Sequence, residues 1–273
     1  MKLQAWMDPA DLAPGDKKSA HADMSRVELH RIASADDPLF GMAFGALWAE
    51  FGHSGEIESA EILAGRLLRE SPDMRYEMIL LTSGGKFAAA CDHTVIVRAD
   101  QPGALVHISH NLVAPHWRRT GLAGWLRALS VSSARNVLAA QGRQEFPITV
   151  IGEVEYLDHS HAGNVGRLHA YEKAGYKKID PARVRYFQPD FRAADQIALG
   201  GGPVPLPLCL VIRRVGHEDV DFITGAEMQQ IVASIYSIFA LDFSQQVMAC
   251  VYESLNDYPA PDEKIALIPP SSA

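Results

Sequence analysis

Arg118, Arg119, Gly121, Ala123 and Gly124 are the residues whose types and spacing could do chemistry. They stand where an alternating apolar stretch, Leu105 to Asn111, gives way to apolar residues at helical spacing, Leu122, Trp125, Leu126 and Leu129. The first turn of a helix leaves backbone N–H groups unpaired and carries partial positive charge. Here Gly121 lets a ligand approach the backbone, Ala123 and Gly124 add little bulk, and the two guanidiniums add charge. Such a turn suits a diphosphate. Two other phosphate turns are excluded: no Gly-Lys-Ser/Thr follows, and the second and third glycines of a dinucleotide-binding turn are missing.

The elements that must position this turn can be read from periodicity. In the strand before it, Val106, Ile108 and His110 face one way and Leu105, His107, Ser109 and Asn111 the other, until Pro115 closes it. The helix after it runs to about Gln141 and stops at Gly142. Upstream, Val27 to Ala33 is a strand, followed by a helix over 38–51 and another after Ser59. Tyr76 to Leu81 and Phe87 to Val97 are strands joined by Ser83-Gly84-Gly85, and Asp100 to Gly103 is a further turn. Downstream come a strand over Ile148 to Glu155, a helix from Asn164 to Ala174 stopped by Gly175, and strands over Tyr176 to Ile179 and Leu206 to Val215. After Gly216, Met228 to Phe239 and Val247 to Leu255 repeat as two helices whose apolar faces need cover, either the main sheet or a second subunit. Residues 1–24 show no period and are expected as a loose arm, and the Pro- and Ser-rich tail after Tyr258 as frayed.

Composition bounds the class. The 273 residues are 48% hydrophobic and 21% charged, which describes an ordinary globular chain with a sizeable core. A net charge of −8 argues against a general nucleic-acid binder. No apolar run approaches the roughly 20 residues that span a bilayer, and the first 20 residues lack a signal-peptide core, so no membrane partner and a cytoplasmic location are expected. Cys91, Cys209 and Cys250 are widely spaced without a CxxC and are read as reduced core residues.

A second motif lies about 40 residues beyond the first: Asn164-Val165-Gly166-Arg167-Leu168-His169-Ala170-Tyr171-Glu172-Lys173-Ala174-Gly175-Tyr176. Asn164 can cap the helix, Leu168 and Tyr171 share a face, and Gly175 supplies the left-handed stop. Together with Arg118-x-x-Gly121-x-Ala123, and with a helix and a strand between, it resembles the signatures of the GNAT superfamily of acyl-CoA-dependent N-acyltransferases. The resemblance implies an α/β (α+β) GNAT fold: a mixed, mostly antiparallel sheet flanked by helices, with two central parallel strands splayed apart. It would occupy residues 25–216, with residues 217–273 as a C-terminal helical extension and tail.

The chemistry implied is direct attack of an amine on a thioester held between the splayed strands. Acetyl-CoA, or another short acyl-CoA, would pair its pantetheine arm with the backbone of Asn111, Leu112 and Val113. Its diphosphate would lie on Arg118, Arg119, Thr120, Gly121, Leu122, Ala123 and Gly124, and Asn164 would open the helix beside it. Tyr171 stands at the position of the acid that protonates the departing thiolate, and His107 where family members often carry a glutamate base, with Glu153 and Glu155 as rivals. The long segment Tyr156 to Gly163 departs from the family pattern. Its Asp158, His159 and His161 lack a further fixed metal ligand and are read as lining an acceptor pocket or as solvated. The resulting expectation is an N-acyltransferase acting on a small-molecule or peptide amine. The alternative is a catalytically silent acyl-CoA-binding module whose C-terminal helices serve assembly or regulation, as in a homodimer.

Overall fold

The computed structural model describes residues 2–99 and 102–272. In chain order the elements are α1 (Leu3–Trp6), β1 (Val27–Ile32), α2 (Phe40–Phe51), α3 (Ala60–Leu68), β2 (Met74–Ser83), β3 (Lys86–Ile96), β4 (Ala104–Val113), α4 (Leu122–Ala140), β5 (Ile148–Val154) and α5 (Ala162–Lys173). Then follow β6 (Lys177–Ile179), β7 (Tyr186–Gln188), α6 (Ala194–Leu199), β8 (Leu206–Arg214), β9 (Phe222–Thr224), α7 (Gly225–Phe239), α8 (Gln245–Tyr252) and β10 (Lys264–Ile268).

Local chemistry accounts for the ends. Ser59, Thr224 and Ser244 cap α3, α7 and α8 by accepting from the backbone N–H three residues on. The β2–β3 hairpin turns on Gly84 and Gly85 at φ 57° and 73°, a two-residue turn that a side chain at either place would strain. Of the turn expected over Asp100 to Gly103, Asp100 and Gln101 lie outside the described residues.

The ten strands make one sheet in the order β1-β2-β3-β4-β5-β8-β6-β10-β9, with β7 pairing a second stretch of β8. All the pairs are antiparallel except β4 with β5. Helices α2, α3, α7 and α8 cover one face, and α4 and α5 the other. The sheet is the cover the C-terminal helices need: Met228, Ile231, Val232, Ile235, Ile238 and Phe239 of α7 pack on Leu105, Ile151, Leu210 and Ile212.

Three expectations need correction. The segment 1–24 is packed: Leu3, Met7, Leu12 and Met24 lie buried against Leu122, Trp125 and Leu126 of α4, and Asp8, Pro9 and Pro14 start short 3₁₀ turns that its mixed composition hides. The tail after Tyr258 supplies β10, with Ile265 and Leu267 in the core, because its alternating Ile and Leu suit a strand that pairs with β6 on one side and β9 on the other. The strand through His107 does not alternate throughout. Asp92 pairs with His110 but His93 with Ile108, so Ser109 is an extra residue, a β-bulge that reverses the side-chain phase beyond it.

Candidate active site

The bulge decides what meets what. Before it, Val106 and Ile108 face α4 while Leu105 and His107 face α7. Beyond it, His110 and Leu112 point to the α2–α3 side and Val113, with Asn111, to the α4 side. At the same place β4 and β5 part: their parallel pairing runs from Ala104 opposite Ile148 to Ile108 opposite Gly152 and no further, after which β4 pairs only with β3 and β5 only with β8. The two strands thus part in a V toward their ends.

On the α2, α3 and α7 face, His107 is buried with Nε2 3.1 Å from Glu153 Oε2 and its ring edge-on to Phe239. Glu153 also accepts from the Tyr186 hydroxyl, whose pKa is pushed up first by burial and then by that carboxylate. Three residues from β4, β5 and β7 therefore form one buried chain of hydrogen bonds. A second chain runs beside it. Tyr76 donates to Asp92 Oδ2 at 2.9 Å, Asp92 Oδ1 lies 2.7 Å from His110 Nδ1, and His110 Nε2 lies 2.9 Å from the carbonyl of Glu56 in the α2–α3 loop. Burial alone would depress the His110 pKa, but Asp92 outweighs it and holds it up at about 9, so both ring nitrogens donate near neutrality. Gln188 of β7 holds the same loop through the carbonyl of Gly55.

The loop so pinned presents Glu56. Its carboxyl is pushed up first by burial and then by Glu155 nearby. Glu155 pairs with Arg167 of α5 at 3.0 Å, both about a third exposed at the rim. Glu56, His110 and Tyr186 carry no periodic or motif signal, so sequence reasoning missed them as site residues; only the bulge and the β7 pairing bring them in.

The α4 and α5 face carries the other set. Tyr171 is half-buried against the cluster that holds Ile108, at the last β4–β5 pair, and Val154, two residues past it, with its ring 5.0 Å edge-on to Tyr176. Asn111 Nδ2 is buried on this side without a hydrogen-bond partner, a group that the carbonyl of an entering amide chain would satisfy. Arg118 Nε donates to the Val113 carbonyl at 3.4 Å, and Thr120 Oγ1 to the Trp117 carbonyl at 2.7 Å. Gly121, at φ 94°, is the N-cap of α4, and Arg119 at φ 67° is the one non-glycine residue with a positive φ among the described residues. Backbone strain of about 1–2 kcal/mol thus sits in the phosphate-type turn itself.

Two predicted roles differ. Asn164 does not cap α5, whose N-cap is His161; it lies in the first turn, where Oδ1 accepts from the Asp158 N–H at 3.0 Å and Nδ2 donates to the Tyr156 carbonyl at 3.1 Å. It holds the loop after β5. In that loop Asp158, Ser160 and His161 bond to one another, which lowers the Asp158 pKa to about 2, first through Ser160 and then through His161. The second difference concerns the turn Arg118 to Gly124, whose glycine faces are covered by the chain itself. A Cβ on Gly124 would stand 2.7 Å from Ser19 Oγ, and one on Gly121 3.1 Å from the Ala22 Cβ.

A strand, two helices, a three-stranded meander, a helix, a parallel strand splayed from its neighbour, a second helix and a returning antiparallel strand constitute the GNAT fold. The chain has that fold, with β7, α6 and the elements after β8 added to it. No protein-family profile and no curated protein matches the sequence. Among solved structures it is similar to a tandem GNAT protein from the clavulanic acid biosynthesis pathway, at 20% identity and TM-score 0.41 over 59% of this chain and 46% of that one. It is similar to an aminoglycoside acetyltransferase from an uncultured soil metagenomic sample, at 17% identity and TM-score 0.34 over 53% of this chain and 86% of that one. A third is a GNAT family acetyltransferase from Elizabethkingia anophelis with acetyl-CoA bound, at 13% identity and TM-score 0.37 over 69% and 98%. The chain thus spans less than half of the tandem protein. Among the described residues no helix is long and apolar enough to cross a membrane.

Proposed function

We propose that this protein is an N-acyltransferase that moves a short acyl group, in the first instance acetyl, from CoA to a primary amine. The observation that carries the reading is the gap between β4 and β5. It opens directly at the bulge, has Tyr171 and an unpartnered Asn111 amide on one face, and has two histidine–carboxylate pairs on the other. A thioester reaching the gap from the α4 and α5 face would offer its carbonyl carbon to an amine approaching from the opposite face.

In this reading Asn111, Leu112 and Val113 hold the pantetheine arm, and Arg118 to Gly124 receive the diphosphate. His107, linked to Glu153, takes the proton from the attacking ammonium, with Glu155 at the rim as the alternative acceptor through water. Tyr171 returns a proton to the departing thiolate. The acceptor is a small molecule or a peptide terminus carrying a cationic amine, which the carboxylates of Glu56 and Glu155 favour.

The test is amine-dependent release of free CoA from acetyl-CoA over a panel of primary amines. Tyr171→Phe is expected to lower kcat by about 10² or more with little change in KM for acetyl-CoA. A panel that yields no free CoA, while acetyl-CoA still raises the melting temperature, would instead favour a silent binding module.

A further inference from the structure

The N-terminal segment lies between α4 and α5. Asp11 accepts from Ser132 Oγ at 2.6 Å and pairs with Arg135. Nearer the start of α4, Asp16 takes two hydrogen bonds from Arg127, at 2.9 Å from Nε and 2.8 Å from Nη2. The Ser19 carbonyl accepts from Trp125 Nε1 at 2.9 Å, and the Ser19 hydroxyl lies over Gly124. On the α5 side the fit is equally close: a Cβ on Gly15 would stand 1.6 Å from the Lys173 carbonyl oxygen. Residues 14–22 therefore touch both helices.

How the segment is held bears on what it does. Its apolar anchors, Leu3, Met7, Leu12 and Met24, lie before and after this stretch. Between them it is a 3₁₀ turn of small and polar residues, attached by the Asp16 carboxylate to Arg127 of α4, with Lys17 and Lys18 exposed outward. These are contacts an anion can replace in kind: a phosphate oxygen offers Arg127 what Asp16 offers it. Short 3₁₀ stretches with few apolar contacts also open at lower free energy than the core around them.

We infer that residues 14–22 are an intramolecular stand-in for the coenzyme: Asp16 and Ser19 take the ground above Gly124 and Arg127 that the diphosphate of acyl-CoA would take, and the segment swings out before the coenzyme enters. The inference rests on the acyl-CoA reading above. It makes the closed segment a competitor whose release sets the apparent affinity.

The experiment is calorimetric titration of acetyl-CoA into the full chain, into Asp16→Ala and into Gly15→Val, which unseats the segment without touching a charge. A tightening of about tenfold or more in both variants is expected, since a closed state taxes affinity by the fraction of open protein. In the unaltered chain, saturating acetyl-CoA is expected to speed tryptic cleavage after Lys17 and Lys18 several-fold. Equal or weaker binding by both variants, or cleavage unchanged or slowed in the unaltered chain once acetyl-CoA is bound, overturns the stand-in and leaves the acyl-CoA reading in place. No heat of binding in any of the three proteins, each with an unchanged far-UV spectrum, overturns both.

Discussion

The two faces of the β4–β5 gap solve the same problem differently. On the α2, α3 and α7 face, buried ionisable groups are matched inside the core: His107 with Glu153 and His110 with Asp92 across neighbouring strands, and Arg66 of α3 with Glu58 and Asp242 in the loops that flank it. On the α4 and α5 face, the arginines of α4 are matched by Asp11 and Asp16 on a segment from far off in sequence, 111 residues away in the case of Arg127. Charges of the first kind cannot separate without opening the core. Those of the second kind can, because their partners lie together on one 3₁₀ segment laid over α4. A face tied into the core thus stands opposite a face covered by a separate segment, the division that the proposed transfer from coenzyme to amine would use.

The largest expected effect tests the fixed side. The Arg66 side chain is 2% exposed, between Glu58 at 2.6 Å and Asp242 at 2.7 Å, and those partners hold its pKa above the usual arginine value against the opposing effect of burial. Arg66→Ala leaves the buried Glu58 without its guanidinium and Asp242 with Arg69 alone, and is expected to cost about 3–5 kcal/mol in urea unfolding. Asp16→Ala, on the side that can open, is expected to cost about 1–3 kcal/mol. Equal costs would erase the distinction between the faces.

The pH dependence sharpens it further. The folded pKa of His110, about 9, lies above the usual histidine value of 6.5. The stability it contributes is therefore fully present below pH 6.5 and is lost as pH rises through 9, by up to a few kcal/mol. His110→Gln is expected to flatten the loss of melting temperature between pH 6.5 and 9. An unchanged slope in the variant would mean that the Asp92–His110 pair does not hold the α2–α3 loop as a charged pair.

How much of this was legible in the sequence follows from the same contrast. The strand-to-helix turn at Arg118 to Gly124, the hairpin at Gly84-Gly85, the helix after Ser59 and the order of elements from β1 to β8, except the short β7 and α6, carry local signals of period and turn chemistry that make them readable. The bulge at Ser109 has none, because an extra residue in a strand is fixed by the partner strand and not by its own type. That single insertion puts His110 on the same face as His107, and period-two reading had put them on opposite faces. The N-terminal segment was missed for a related reason. Its Leu3, Met7 and Leu12 are too irregularly spaced to form a regular amphipathic face, and its burial depends on Trp125 and Arg127 more than a hundred residues on. Asn164 was read as a cap from its type alone, and its actual partners depend on how the Tyr156–Gly163 loop folds back.

The smallest expected effect isolates the turn where the two faces meet. Arg119 holds a left-handed conformation at φ 67° that an arginine adopts only at a cost, two residues before the left-handed Gly121. Arg119→Gly removes that cost while widening the freedom of the unfolded chain, and the two effects nearly balance, leaving a stability change within about 1 kcal/mol in either direction. Coenzyme binding separates the possible reasons for keeping an arginine there. If its guanidinium meets a phosphate of acetyl-CoA, Arg119→Gly lowers affinity by about tenfold, and the deficit shrinks as salt rises from 50 to 500 mM. If affinity is unchanged at every salt concentration, the strained arginine serves the backbone of the turn alone, and the charge that receives the coenzyme lies with Arg118 and Arg127.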